Sequence, residues 1–127
     1  MITEDYVSFK VAKLLKEKGF DWNTDKQFNS DKIVGDYNIT DRSRYPERYL
    51  DAPTLQMAMK WLREVHNVFI DISSRFSKNA DSDVCFSYSC KKLIDTYKSS
   101  YEIGDGEWLN YEEACEAAIK YCLEHLI

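Results

Sequence analysis

The stretch VFIDISSRFSKNADSDVCFSYSC (residues 68–90) decides the fold class, because it holds two alternating segments on either side of a polar loop. In residues 68–72, Val, Ile and Ile stand at every second position, and a similar alternation runs through residues 84–90. A period of two is typical of a β-strand with one buried face. The polar connection, residues 77–83, is too short for the crossover that joins parallel strands. The stretch therefore predicts an antiparallel pair of strands.

Two other segments can add strands to this pair. A third strand is expected within residues 93–103, ending at the turn Gly104-Asp105-Gly106. Residues 33–39 have a weaker strand pattern, which leaves room for a fourth strand. The rest of residues 21–51 mixes turn formers with short apolar pairs and shows no further pattern. We predict a small antiparallel meander of about three strands.

Two helical segments precede these strands. ITEDYVSFKVAKLLKEKGF (residues 2–20) has an apolar stripe at helical spacing, with Thr3 as N-cap and Gly19 as the left-handed stop. APTLQMAMKWLREVH (residues 52–66) has Pro53 at the first helical position, where its missing N–H would be unpaired in any case. Its expected inner face consists of Leu55, Ala58, Met59, Leu62 and Val65. Both segments are predicted to be amphipathic helices.

A third helix is predicted for YEEACEAAIKYCLEHLI (residues 111–127), which ends the sequence. Asn110 and Glu113 stand at the two positions of a capping box. Small Ala and Cys residues dominate the inner face, which consists of Ala114, Cys115, Ala118, Ile119, Tyr121, Cys122 and Leu126. The expected architecture is a single globular α+β domain over residues 1–127, with three helices packed on the small antiparallel sheet.

Composition restricts the classes of function. The 127 residues include 17 basic and 22 acidic residues, for a formal net charge of -5. Residues 1–80 hold 13 basic and 12 acidic residues, whereas residues 81–127 hold 4 and 10. Nucleic acid is therefore not expected as a partner, because no excess of Lys and Arg can neutralise phosphates. No apolar run approaches roughly 20 residues and the first twenty residues carry charges, so we expect a soluble cytoplasmic protein without membrane association.

The cysteines do not have the spacing of a metal site. Cys85 and Cys90 fall on opposite faces of a predicted strand, because they are separated by an odd number of positions. Cys115 and Cys122 share a helix face, but the close spacing of a zinc pair occurs nowhere in the chain. We expect four buried, reduced thiols.

No established catalytic or cofactor motif is present. Asp21-Trp22-Asn23-Thr24-Asp25 matches the first five positions of an EF-hand loop, but the sixth and twelfth positions are Lys26 and Lys32 instead of Gly and Glu. His66 and His125 stand at helix ends, where they can interact with terminal carbonyls. We therefore name no catalytic residue, metal ligand or cofactor.

The candidate interaction residues are Phe9, Met57 and Trp61. Phe9 falls on the charged side of the first helix, beside Lys10, Lys13 and Lys16. Met57 and Trp61 widen the apolar arc of the second helix beyond the width that one core contact needs. Aromatic residues and Met are enriched at protein contact sites. The alternative is that residues 21–51 fold over these side chains and make them part of the core.

The three helical blocks together resemble a group of small uncharacterised proteins encoded by anaerobic gut bacteria and by prophage-like elements. The blocks are ITEDYVSFKVAKLLKEKGF, APTLQMAMKWLREVH and YEEACEAAIKYCLEHLI, and they cover 51 residues, about two fifths of the chain. The resemblance implies a mobile-element context, in which small proteins often act by binding a host or phage component. It implies no activity and no site residue.

The combined observations favour a non-enzymatic protein-interaction module, with another protein or a second copy of the chain as partner. One alternative is a small ligand-binding domain or enzyme, with a site between sheet and helices. Another is an acidic-surface protein that engages a basic partner, because the acidic excess lies in residues 81–127.

Overall fold

The computed structural model of the chain describes residues 5–76, 84–95, 98–104 and 106–127. These residues form four α-helices and two three-stranded antiparallel sheets, which confirms the predicted α+β class. The elements in chain order are α1 (Phe9–Glu17), β1 (Gln27–Phe28), β2 (Val34–Gly35), α2 (Ile39–Arg44), a 3₁₀ turn (Pro46–Arg48), β3 (Leu50–Asp51), α3 (Leu55–His66), β4 (Val68–Phe76), β5 (Val84–Asp95), β6 (Lys98–Ile103) and α4 (Tyr111–His125).

The chain divides into two compact units, and the division falls within α3, between Ala58 and Met59. In the first unit the strand order is β2-β1-β3, and α1 packs against β3. In the second unit the order is β4-β5-β6, and α4 packs against β4 and β5. The helices thus contact two small sheets instead of the one that we predicted. The expectation of one domain over the whole chain stays a prediction.

Helix α1 begins later than the sequence predicts. Ser8 is its N-cap, and the Ser8 hydroxyl accepts a hydrogen bond from the backbone N–H of Val11 at 3.2 Å. The predicted cap, Thr3, lies outside the described residues. The predicted end is confirmed, because Gly19 has a φ of 96°, a left-handed conformation that favours glycine.

The segment before α1 is extended because it pairs with the segment before α3. The N–H of Val7 donates to the carbonyl of Pro53 at 3.0 Å, and the N–H of Leu55 donates to the carbonyl of Asp5 at 2.9 Å. Pro53 therefore precedes α3 instead of starting it, and Thr54 caps the helix with its hydroxyl. The predicted starts of both helices were wrong, because this long-range pairing outweighs local helix propensity.

Residues 21–51 form short elements that the sequence did not resolve. The predicted strand in residues 33–39 is confirmed only at Val34–Gly35, where β2 pairs with β1. Asn38 ends that extended stretch because its side-chain oxygen accepts from the backbone N–H of Thr40 at 2.8 Å, which starts α2. β1 is the central strand of the first sheet, with β2 on one side and β3 on the other.

The antiparallel meander of the second unit is confirmed. In the register of β4 and β5, Ile70 lies opposite Cys90 and Ile72 lies opposite Tyr88. β6 begins at Lys98, within the range 93–103 predicted for the third strand, and residues 93–95 belong to β5. The loop predicted for residues 77–83 and the turn position Asp105 lie outside the described residues.

Helix α4 begins as predicted. The side-chain oxygen of Asn110 accepts from the backbone N–H of Glu113 at 2.7 Å. The side chains of Tyr121 and Leu126 are only half-buried. Six small or aliphatic side chains of α4 are buried: Ala114, Cys115, Ala118, Ile119, Cys122 and Leu123. Ala and Cys allow the helix backbone to approach the sheet closely.

The ring of Tyr88 lies on the backbone of Gly104. A Cβ atom at Gly104 would stand 2.3 Å from the ring atom Cζ. Gly104 also donates its N–H to the carbonyl of Tyr88 at 2.9 Å. The ring of Trp108 lies 5.2 Å from that of Tyr88, centroid to centroid. Glycine is needed here because no side chain fits between the ring and the backbone.

We expect Gly104→Ala to lower the free energy of unfolding by about 1–3 kcal/mol, the usual cost of an overpacked site. Urea denaturation of the two proteins measures the difference. Gly35→Ala is the control, because a Cβ atom there would meet the Tyr37 ring at an ordinary 3.4 Å. Equal stability of native protein and Gly104→Ala would show that the Tyr88 ring is free to move away.

Candidate functional site

A groove of about 480 Å³ opens on the first unit. One wall is the charged side of α1, with Phe9, Lys13 and Lys16. The opposite wall comes from the end of the 3₁₀ turn and the start of β3, at residues 47–50. Phe28 of β1 lies between the walls. The groove therefore depends on three parts of the chain that are distant in sequence.

The floor of the groove is aromatic. The rings of Phe9 and Phe28 meet edge to face, with centroids 5.5 Å apart and planes at 89°. Phe28 is buried, whereas Phe9 and Leu50 are half-buried and so present part of their apolar surface to the groove. An edge-to-face pair is a favourable arrangement of two rings. The Phe28 ring thus holds the Phe9 ring in place at the surface.

A lysine lies over this aromatic pair. The Nζ atom of Lys32 is 5.2 Å from the centroid of the Phe9 ring, within the range of a cation–π interaction. Lys32 has a φ of 63°, which is uncommon for a residue with a side chain. Lys32 belongs to the turn between β1 and β2. Asn29 holds this turn, because its side-chain oxygen accepts hydrogen bonds from the backbone N–H groups of Asp31 at 2.9 Å and Ile33 at 3.0 Å.

The rim of the groove is more basic than acidic, although the chain as a whole is acidic. Among the described residues that line the groove, Lys13, Lys16 and Arg48 are basic, and Glu17 and Glu47 are acidic. Lys32 adds a further positive charge over the Phe9 ring. The groove thus combines an apolar floor with a net positive rim.

A smaller cavity of about 280 Å³ adjoins the groove. The two share Lys16, Tyr49 and Leu50 as lining residues. Gln27, which also lines the cavity, is only 3% exposed. Its side-chain N–H donates to the carbonyl of Thr24 at 3.0 Å, so this buried amide is satisfied within the first unit.

The shared wall at Tyr49 is tied to α2. The hydroxyl of Tyr49 donates a short hydrogen bond to the carboxylate of Asp41. This hydrogen bond, together with burial and the negative charge of Asp41, raises the pKa of Tyr49 above its ordinary value. The guanidinium of the neighbouring Arg48 stacks on the Tyr45 ring, 4.1 Å from its centroid. These contacts hold the 3₁₀ turn against α2.

The structure places the three predicted interaction residues differently. Phe9 lines the groove, and its contact with Phe28 shows that residues 21–51 cover part of its ring. Met57 is half-buried on α3 and does not line the groove. Trp61 is 1% exposed, with its ring 4.7 Å from that of His66. The Trp61 side chain is thus buried, as in the alternative that makes these residues part of the core, and a contact role for the three residues stays a prediction.

Sequence reasoning missed most of the groove. Lys13 and Lys16 were visible because helical spacing puts them beside Phe9. Phe28, Tyr49 and Leu50 come from segments without periodicity, so no local signal indicated that they would meet α1.

The four thiols are buried, as predicted. The Sγ atoms of Cys90 on β5 and Cys122 on α4 lie 3.3 Å apart. The hydrogen bond to Cys90, together with burial, raises the pKa of the Cys122 thiol far above its ordinary value of 9.0. Burial also raises the pKa of Cys85 and Cys115. Within the described part of the chain, no three His, Cys, Asp or Glu side chains stand close enough together to hold a metal ion.

Comparisons with protein-family models, with curated proteins and with solved structures gave no match for this chain. No helix in the described residues has the length and apolar character needed to cross a membrane.

We expect the Cys122 thiol to make stability depend on pH in the alkaline range. The folded state keeps the proton above pH 9, whereas the unfolded chain releases it, so stability present below pH 9 is lost as pH rises. Cys122→Ala removes this dependence. The stability advantage of the native protein over this variant should shrink above pH 9 by about 1.4 kcal/mol per pH unit.

Urea denaturation between pH 7 and pH 10.5 under reducing conditions measures both proteins. Ile119→Val, another buried change on α4, is the control, because no titrating group is lost and its stability difference should stay constant. A constant difference between native protein and Cys122→Ala up to pH 10.5 would contradict the prediction.

Proposed function

We propose that the chain is a non-enzymatic protein-interaction module that binds a segment of a partner protein in the groove of its first unit. The observation that carries the proposal is the aromatic floor of the groove, where the half-buried Phe9 ring meets the buried Phe28 ring edge to face between charged walls. Rigid aromatic side chains at the centre of a contact, surrounded by polar groups, are typical of binding hot spots.

The open shape of the groove favours a protein segment over a small molecule. Small-molecule sites enclose most of the ligand surface. This groove is open along the side of α1, and its lysines are exposed. An extended segment can lay an apolar side chain on the floor while its backbone stays at the rim.

The charges of the rim indicate the composition of that segment. Lys13, Lys16 and Arg48 outnumber Glu17 and Glu47, and Lys32 lies at the Phe9 ring. A partner with acidic residues next to a large apolar residue complements this arrangement in charge and in polarity. We therefore expect an acidic segment with at least one Leu, Ile, Met or aromatic anchor.

The alternative of a small ligand-binding domain is favoured by one observation, the cavity of about 280 Å³ beside the groove. Self-association, the engagement of a basic partner by acidic residues of the second unit, and the association with prophage-like elements stay predictions.

Selection from a display library of random dodecapeptides tests the groove as the binding site. We expect the selected peptides to be acidic with an apolar anchor, and to bind Lys13→Glu and Phe9→Ala about tenfold or more weakly than the native protein. Lys10→Glu is the matched control, because Lys10 is exposed on α1 and does not line the groove.

Lys13→Glu changes only an exposed side chain, so its effect does not depend on stability. Phe9→Ala loses the Phe28 contact, and its unfolding should be measured in parallel. Selected peptides that bind both variants as tightly as the native protein, or that shift backbone amide signals only outside the first unit, would overturn the proposal.

A further inference from the structure

The cavity beside the groove contains two cations and one carboxylate. Lys16 comes from α1, Arg42 from α2 and Asp51 from β3, and these are the charged residues that line it. Its ionisable lining therefore has a net charge of +1. The cavity adjoins the groove, with which it shares Lys16 and Tyr49 as lining residues.

Arg42 is the unusual member of this set. It is half-buried, and its Nε atom is shielded from solvent and has no hydrogen-bond partner among the described residues. A buried N–H is costly unless an acceptor compensates it. The Nε–H of Arg42 has no such acceptor among the described residues.

Two carboxylates, that of the preceding residue Asp41 and that of Asp51 in the cavity lining, form hydrogen bonds with other residues. The Asp41 carboxylate accepts the hydroxyl of Tyr49. The side-chain oxygen Oδ1 of Asp51 lies 3.1 Å from the hydroxyl of Thr24. In the part of the chain that the structure describes, neither Arg42 nor Lys16 forms a salt bridge. The positive charge of the cavity is thus left for a ligand.

We propose that the cavity binds one carboxylate of the partner segment, through the guanidinium of Arg42 and the ammonium of Lys16. The inference rests on the proposed function, and it states where the acidic residue of the partner segment binds. A single carboxylate matches the net charge of +1, whereas the charge of a phosphate dianion would exceed it. Arg also has the planar donor geometry that a carboxylate requires.

An array of acetylated octapeptides tests the inference. Each peptide contains one Leu and one Glu at varied spacing, and a matched set carries Gln in place of Glu. We expect the native protein to bind the best Glu peptides about tenfold or more tightly than their Gln counterparts, the range of a charge-assisted hydrogen bond. Arg42→Gln should abolish this preference while binding of the Gln peptides is retained.

Arg44→Gln is the matched control, because Arg44 is exposed on the same helix and does not line the cavity. It should keep the full preference for Glu. If Arg42→Gln fails to fold, Lys16→Gln gives the second measurement, since Lys16 is exposed and its loss should reduce the preference without unfolding the protein.

The outcomes separate the inference from the proposed function. Equal binding of Glu and Gln peptides, with amide shifts in the groove, would overturn the carboxylate site and leave the groove intact. Binding of no peptide at all would overturn both. If succinate binds as tightly as the Glu peptides and shifts only backbone amide signals of the cavity, the ligand of the cavity is a free small carboxylate. This result would contradict the assignment of the carboxylate to a partner segment.

Discussion

The first unit depends on the antiparallel pairing between residues 5–7 and residues 53–55. These two short segments exchange backbone hydrogen bonds, from Val7 to Pro53 and from Leu55 to Asp5. The pairing closes a loop of nearly fifty residues, which lowers the entropy of the chain. The apolar surface that is buried within this loop has to offset that loss. It also determines where α1 and α3 begin, because residues that are extended for pairing cannot enter a helix. The position of α1 against β3, and therefore the groove, follows from it.

The groove shows how an apolar and basic surface can arise from segments without strong local structure. β1, β2 and β3 have two residues each, and none of them would be stable alone. They are held by side chains that act across the segment: Asn29 in the turn, Asn38 at α2, and Tyr49 bonded to Asp41. In the same unit the half-buried Phe9 ring lies beside exposed basic side chains. This coincidence of rigidity, apolar surface and uncompensated positive charge supports a binding role.

The second unit rests on stronger local patterns. The long strands β4 and β5 pair over nine positions, and α4 covers them with small side chains. Close packing of this kind explains both the contact between the Tyr88 ring and Gly104 and the approach of the Cys90 and Cys122 thiols. Buried thiols with raised pKa values are poor nucleophiles, so their role here is to fill the interior between helix and sheet.

The sequence by itself determined the α+β class, the meander of β4, β5 and β6, the end of α1 at Gly19 and the start of α4 at Asn110, because a capping residue acts locally at both places. It also placed Phe9 beside Lys13, since both follow from helical spacing. Only the tertiary structure decided the start of α1, the burial of Trp61, the meeting of Phe9 with Phe28, and the placement of Lys16 and Arg42 in the lining of one cavity. These features depend on contacts between residues far apart in the chain, for which periodicity and capping give no signal.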